Sequence, residues 1–148
     1  KNIASANING LNFMCIYNLN KNLVFSSSCN YIKGRDHNST PLSHIPPLNL
    51  KLDAKYIFNK HLLKLNIKYN AWKYVEEYDL AGVDNLEEAT VDGNPSWYTI
   101  NFYYNRAITP SVDMIIGVEN MMDIHYKHFG SGLSSSGRNF TLSLQSKF

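Results

Sequence analysis

Apolar side chains recur at every second position through most of this chain, and the positions between them carry lysine, asparagine and aspartate. Leu48, Leu50, Leu52, Ala54, Tyr56 and Phe58 alternate with Asn49, Lys51, Asp53 and Lys55. Leu63, Leu65, Ile67, Tyr69 and Ala71 alternate with Lys64, Asn66, Lys68 and Asn70. A period of two is the pattern of a β-strand, whose successive side chains point to opposite faces. One face is therefore oily and the other charged. Burying the charged row unpaired costs several kcal/mol per ion, so the oily face must be the covered one.

The alternation runs to the last residue. Phe140, Leu142, Leu144, Ser146 and Phe148 share one face; Asn139, Thr141, Ser143, Gln145 and Lys147 share the other. Terminal residues of water-soluble domains usually fray. A strand in the wall of a membrane barrel has a reason to stay ordered, because one face meets lipid and the other a wet lumen.

Seven such stretches are expected. The first runs from Ile3 to Tyr17, where Ala4, Ala6 and Ile8 precede Gly10 and Leu11, Phe13, Cys15 and Tyr17 follow it. The change of phase predicts a bulge at the glycine. Leu23 to Lys33, Leu48 to Phe58, a stretch through Leu63 to Ala71, Trp97 to Asn105, Val112 to Glu119 and the terminal stretch complete the set. Their connections alternate in length. Asn18 to Asn22, Asn59-Lys60 and Arg106 to Ser111 are short; Gly34 to Pro47, Trp72 to Ser96 and Asn120 to Arg138 are long. All short turns then lie at one end and all long loops at the other, as in outer-membrane barrels. No predicted helix is available to cover the oily face, and lipid is the simplest cover. The fold class expected is all-β, an antiparallel up-and-down transmembrane barrel segment. Seven is odd, closed single-chain bacterial barrels have even strand numbers, and hydrocarbon does not tolerate open edges. The chain is expected to be one arc of a larger barrel.

Composition excludes several classes. The chain has 148 residues, with 14 Lys plus Arg against 12 Asp plus Glu and no dense basic run, so no nucleic-acid partner is expected. No stretch approaches the roughly 18 apolar residues of a spanning helix. Tyrosine is over-represented, at 10 residues. Tyr56, Tyr69, Tyr98, Tyr104 and Phe140 are candidates for aromatic girdles at the two membrane interfaces. The chain opens on Lys1 rather than Met, and a processed or partial chain is expected. Cys15 and Cys29 fall out of register for a disulfide.

Several motifs resemble those of TonB-dependent outer-membrane receptors. Two strand-opening segments are similar: Pro41-Leu42-Ser43-His44-Ile45-Pro46-Pro47-Leu48, and Gly93-Asn94-Pro95-Ser96-Trp97-Tyr98-Thr99-Ile100-Asn101. The closing stretch is similar too, with Gly117-Val118-Glu119-Asn120, Asp123, Tyr126, Ser131-Gly132, Gly137-Arg138-Asn139-Phe140 and Phe148. Ala6-Asn7-Ile8-Asn9-Gly10-Leu11 matches a further motif, with Asn12 where that family usually has Glu. The resemblance spans nearly the whole chain. It implies the last seven strands of a barrel of about 22, in the bacterial outer membrane. It implies import of a scarce nutrient such as a ferric siderophore, haem or cobalamin. The implied partners are outer-membrane lipid, the rest of the barrel and its N-terminal plug, and the TonB, ExbB and ExbD complex that supplies energy. The family's plug and TonB box have no counterpart in these residues. Barrel-assembly machinery would engage the C-terminal strand, with Phe140, Leu142, Leu144 and Phe148 on its oily face.

Candidate binding residues lie in the long loops. His125, Tyr126 and His128 in one, and His37 and His44 in another, are the candidates for ligand contact; each also reads simply as a polar loop residue. No Cys/His cluster has metal-site spacing, so neither a metal nor a cofactor is expected. Seven of the acidic residues crowd into Glu76 to Asp92, without the spacing of a calcium-binding EF-hand loop. Arg138 is expected to pair with Glu119. No Ser/His/Asp order, paired carboxylate pocket or phosphate loop appears, and the chain does not read as an enzyme. Two other readings remain at this stage: a soluble up-and-down barrel with its apolar residues inward around a lipophilic ligand, and a structural, adhesive or remnant barrel without transport. If the oily face meets lipid, arginine at Leu65 or Ile116 should be costly and arginine at Asn66 mild.

Overall fold

Seven long strands pair in chain order into one antiparallel meander in the computed structural model, which describes residues 5–79 and 81–147. The elements are β1 (Ala6–Asn18), β2 (Leu23–Asp36), β3 (Asn49–Phe58), β4 (His61–Asn70), β5 (Lys73–Tyr74), β6 (Gly93–Asn94), β7 (Trp97–Thr109), β8 (Val112–Glu119) and β9 (Asn139–Ser146). The sheet order is β1-β2-β3-β4-β7-β8-β9, with β5 and β6 forming a separate two-stranded pair inside the 71–96 loop. Asn59 takes a left-handed φ of 50° in the tight β3–β4 turn, a conformation asparagine tolerates better than most residues. Short turns join β1–β2, β3–β4 and β7–β8, and long loops join β2–β3, β4–β7 and β8–β9.

Registers carry each face across the sheet. Tyr17 lies opposite Phe25, Phe25 opposite Ala54, Ala54 opposite Leu65, Leu65 opposite Phe102, Phe102 opposite Val118, and Val118 opposite Phe140. This row is open to the surroundings: Phe25 is 41% exposed, Leu65 41% and Phe140 72%. Between the strands' other faces, Asn66, Thr99 and Asn101 are buried. The only buried large apolar side chains among the described residues are Tyr78 and Trp97, one in a loop and one at a strand opening. Among the described residues the sheet thus has no oily core. Its apolar face is the one that needs a cover from outside, and its polar face is the one that is knitted together.

Aromatic residues on the apolar face sort by depth. At the short-turn end Tyr56 stacks on Phe58, Phe58 on His61 and His61 on Tyr104, with centroids 5.3, 4.8 and 5.8 Å apart. At the long-loop end Tyr69 lies opposite Tyr98. Tyr104 lies opposite Leu63, so the two levels are separated by the rise from Leu63 to Tyr69, about 20 Å at the strand repeat. At the usual barrel tilt of about 35–45° this is about 15 Å of depth, so the span between the two levels fits inside the apolar band of about 25 Å in outer-membrane barrels.

Four expectations are corrected. Gly10 carries no bulge: β1 and β2 pair without a register shift from Ala6–Asp36 to Asn18–Val24. The glycine instead permits close approach, since a Cβ there would lie 3.1 Å from the Tyr31 carbonyl oxygen. The sheet's irregularity falls at Ala107/Thr109, and β7 runs on to Thr109 rather than ending at Asn105. Glu119 does not meet Arg138; its Oε1 accepts from the Tyr103 hydroxyl at 2.6 Å, while Arg138 Nε donates to the Met121 carbonyl at 3.0 Å. Asn66 is not a freely wetted wall residue. It is 3% exposed and donates to Asp53 Oδ1 at 3.1 Å. Cys15 and Cys29 are free and lie opposite Ser27 and Phe13. Ile3, Ala4 and Phe148 lie outside the described residues.

Candidate functional site

A polar ladder runs up the inner face toward the long loops. Lys64 Nζ reaches Asp53 Oδ1 at 3.2 Å, and that oxygen also accepts from Asn66. Asn101 Nδ2 donates to Asn66 Oδ1 at 2.8 Å, and Asn101 Oδ1 accepts from the Asn120 amide at 2.8 Å. Asn120 turns the chain out of β8 with a φ of 48°. Its carboxamide then accepts from the Ile124 amide at 2.9 Å and donates to the Ile124 carbonyl at 2.8 Å. Buried amides are costly when unpaired, so this chain of partners fixes where the 120–138 loop leaves the wall.

The loop folds back over the start of β7. Trp97, on the inner row opposite Asn70, is 6% exposed. Tyr126 packs against its ring at 4.2 Å between centroids and His128 meets it edge-on at 4.9 Å. Partial burial, with a smaller push from the Lys68 charge, holds the His128 imidazole below its ordinary pKa. A cleft of about 250 Å³ opens beside this cluster, lined by Trp97, His125, Tyr126, Lys127, Glu88 and Asn94 among others. Lys127 closes one side by pairing with Glu88 Oε2 at 3.2 Å. Trp97 Nε1 is buried and has no hydrogen-bond partner.

A second cluster lies in the same loop layer. Lys73, 3% exposed, donates to the Ile45 carbonyl at 2.7 Å and sits 5.2 Å from the Phe129 ring centroid. Burial lowers its pKa, partly offset by Glu77 and Asp84. Phe129 packs edge-on against Tyr78. Lys73 pairs with Asn94 across β5–β6 and Tyr74 with Gly93. Gly93 is required there: its φ is +108°, and a Cβ would collide with the Lys73 carbonyl.

The predicted histidines are therefore divided. The structure brings Tyr126 and His128 together on Trp97 and puts His125 at the cleft. His44 sits apart, with Nδ1 3.2 Å from Asp84 Oδ1. The His37 amide bonds to the Ser5 carbonyl just outside the start of β1 and the end of β2. Sequence reasoning missed Trp97, Lys73 and Asn101. Trp97 carried one signal, being an aromatic in the polar row.

A seven-stranded meander with its apolar face open, aromatic levels at two depths and all long loops at one end narrows the architecture. Superposition decides it. The chain is similar to the solved structure of the copper transporter OprC, with a TM-score of 0.82 and 19% identity over 97% of this chain. This is the fold of an outer-membrane transporter barrel segment. The chain spans 24% of the length of that structure. No protein-family model matches the chain, and no curated protein matches it. Among the described residues no group of three or more His, Cys, Asp or Glu side chains forms a metal cage.

Proposed function

We propose that this chain is the C-terminal part of the barrel of a TonB-dependent receptor in the bacterial outer membrane. In this reading it forms a lipid-embedded wall with a polar lumen, and its external loops help capture a scarce nutrient, such as a ferric siderophore, haem or cobalamin. TonB, ExbB and ExbD supply the energy through the plug and TonB box of the whole receptor. The observation that carries the reading is the orientation of the wall: a continuous oily row faces outward, and a hydrogen-bonded polar ladder leads inward to the long loops.

The capture surface in this reading is the cleft beside Trp97, with His125, Tyr126 and His128 around it; His37 and His44 are not among the residues that line it. The C-terminal strand, with Phe140, Leu142 and Leu144 outward and Phe148 after it, is the element that barrel-assembly machinery would recognise. The test is uptake by cells carrying or lacking the full-length gene, in backgrounds with and without TonB. Ferric siderophores, haem and cobalamin form the panel, and copper joins it because the similar structure is a copper transporter. Gene- and TonB-dependent uptake of one ligand is the expected result. Uptake that ignores TonB would overturn the energised-receptor reading.

A further inference from the structure

Charge on the seven strands is divided by face. The inner face mixes cations with carboxylates, as where Lys51 and Lys64 meet Asp53 and Lys147 meets Asp113. The outer face, followed by register from Phe25, carries no Asp or Glu on any described strand residue. Its lysines and arginines are Lys33 and Arg35 on β2 and Arg106 on β7. Arg106 stands alone at the short-turn end, opposite His61. Lys33 and Arg35 stand together at the long-loop end.

Along the outer face of β2 toward the long loops the row reads Phe25, Ser27, Cys29, Tyr31, Lys33 and Arg35. On β1, Leu11 lies opposite Tyr31, Asn9 opposite Lys33 and Asn7 opposite Arg35. Asn9 Nδ2 donates to Asn7 Oδ1 at 3.1 Å. Two cations and two carboxamides thus form one polar patch directly beyond the last apolar pair. Here β2 outruns its other neighbour, since pairing with β3 stops at Asn30–Asn49. A notch of about 120 Å³ opens beside that stretch, lined by Tyr31, Lys33, Arg35, Pro46 and Pro47 among others. Lys73 and Glu77 also line it, but Lys73 donates to the Ile45 carbonyl and Glu77 Oε2 accepts from the Tyr74 amide. Among the described residues no carboxylate pairs with Lys33 or Arg35. Arg35 Nη1 donates to the Ser39 carbonyl, which holds the guanidinium in place and leaves other N–H groups of its fork to spare.

A cation on the lipid side of a barrel wall is costly at the bilayer midplane and cheap at its interface. Aromatic side chains mark that interface, and the step from Tyr31 to Lys33 is the step from it into the headgroups. Unpaired cations at that depth meet anionic headgroups, and ammonium and guanidinium groups are strong donors to phosphate oxygens. We propose that Lys33 and Arg35, with Asn7 and Asn9 beside them, bind the phosphate of an acidic lipid in the leaflet at the long-loop end. The site rests on the outer-membrane reading above and is independent of which nutrient is carried.

The test titrates the full-length receptor in dodecyl maltoside with a diphosphorylated glucosamine lipid, lipid A, and reads bound lipid by native mass spectrometry. The unaltered receptor should hold this lipid, and the same lipid stripped of its phosphates should fail to displace it. That competition needs no variant to fold. Lys33→Gln combined with Arg35→Gln should weaken binding about thirtyfold, at roughly fivefold for each basic side chain beside an anionic lipid surface. Lys33→Arg should keep binding, and so should Lys55→Gln, which removes an exposed cation from the inner face. Equal binding of the phosphorylated and stripped lipids would overturn the proposal, as would an equal loss in Lys55→Gln. Displacement of the lipid by inorganic phosphate would overturn its assignment to a lipid. Absence of the receptor from outer-membrane fractions would instead remove the reading on which the site rests.

Discussion

Leu65 and Asn66 are adjacent in the chain and opposite in surroundings. Leu65 looks outward from the sheet, and Leu65→Arg should cost about 2–4 kcal/mol if it lies at the bilayer midplane. Asn66→Arg should also be costly, because it would strip partners from Asp53 and Asn101, at about 1–3 kcal/mol for each buried group left unsatisfied. Gln145→Arg, on an exposed inner position of β9, should stay within about 0.5 kcal/mol. Equilibrium unfolding of the whole receptor in lipid vesicles measures all three; equal effects at Leu65 and Gln145 would reverse the faces. The alternation of side chains gave the side of the wall on which Asn66 sits. It could not give its partners, because those lie on β3 and β7 and depend on two registers at once. Gly117 makes a similar point. A Cβ there would collide with Thr141 Oγ1 and lie 2.9 Å from Tyr103 Cδ1. Gly117→Ala should destabilise by about 1–3 kcal/mol, and Thr141→Ala in the same chain should recover part of the loss.

At the scale of the element, strands were legible and loops were not. Asn49–Phe58 and Val112–Glu119 fall within a residue of the expected stretches, since a long oily row beside lysine or aspartate admits one reading. The 71–96 segment looked like an acidic connection, yet it holds β5–β6 and two single-turn 3-10 helices, Val75–Glu77 and Leu86–Glu88. Its order comes from contacts with distant residues, such as Lys73 with Ile45 and Lys127 with Glu88, and no local pattern records those. The histidines were legible as loop residues and not as a site, because Trp97, which gathers Tyr126 and His128, belongs to a strand. The His128 packing gives a pH test. Its folded pKa lies below the ordinary 6.5, so the folded loop takes up protons less readily than the unfolded one. The sign follows: packing is at full strength above pH 6.5 and weakens as pH falls through the folded value. Tryptophan fluorescence should report loosening on acidification, and His128→Gln should remove the dependence.

For the whole molecule, the strict alternation of short and long connections and the charged inner row already specified a barrel wall. The two aromatic levels were legible as residue types but not as depths, which need the pairing of Tyr69 with Tyr98 and of Leu63 with Tyr104. In the receptor reading, removing Phe148 should lower the amount of full-length protein in outer-membrane fractions, measured by immunoblot against total protein; unchanged abundance would separate the terminal aromatic from assembly. The sheet also leaves the outer margins of β1 and β9 without partners among the described strands. Backbone donors and acceptors along such margins recruit any strand they meet. These 148 residues expressed by themselves should accordingly be sticky, zipping margin to margin into insoluble deposits, so their yield as inclusion bodies would measure how much the rest of a barrel does simply by shielding two seams.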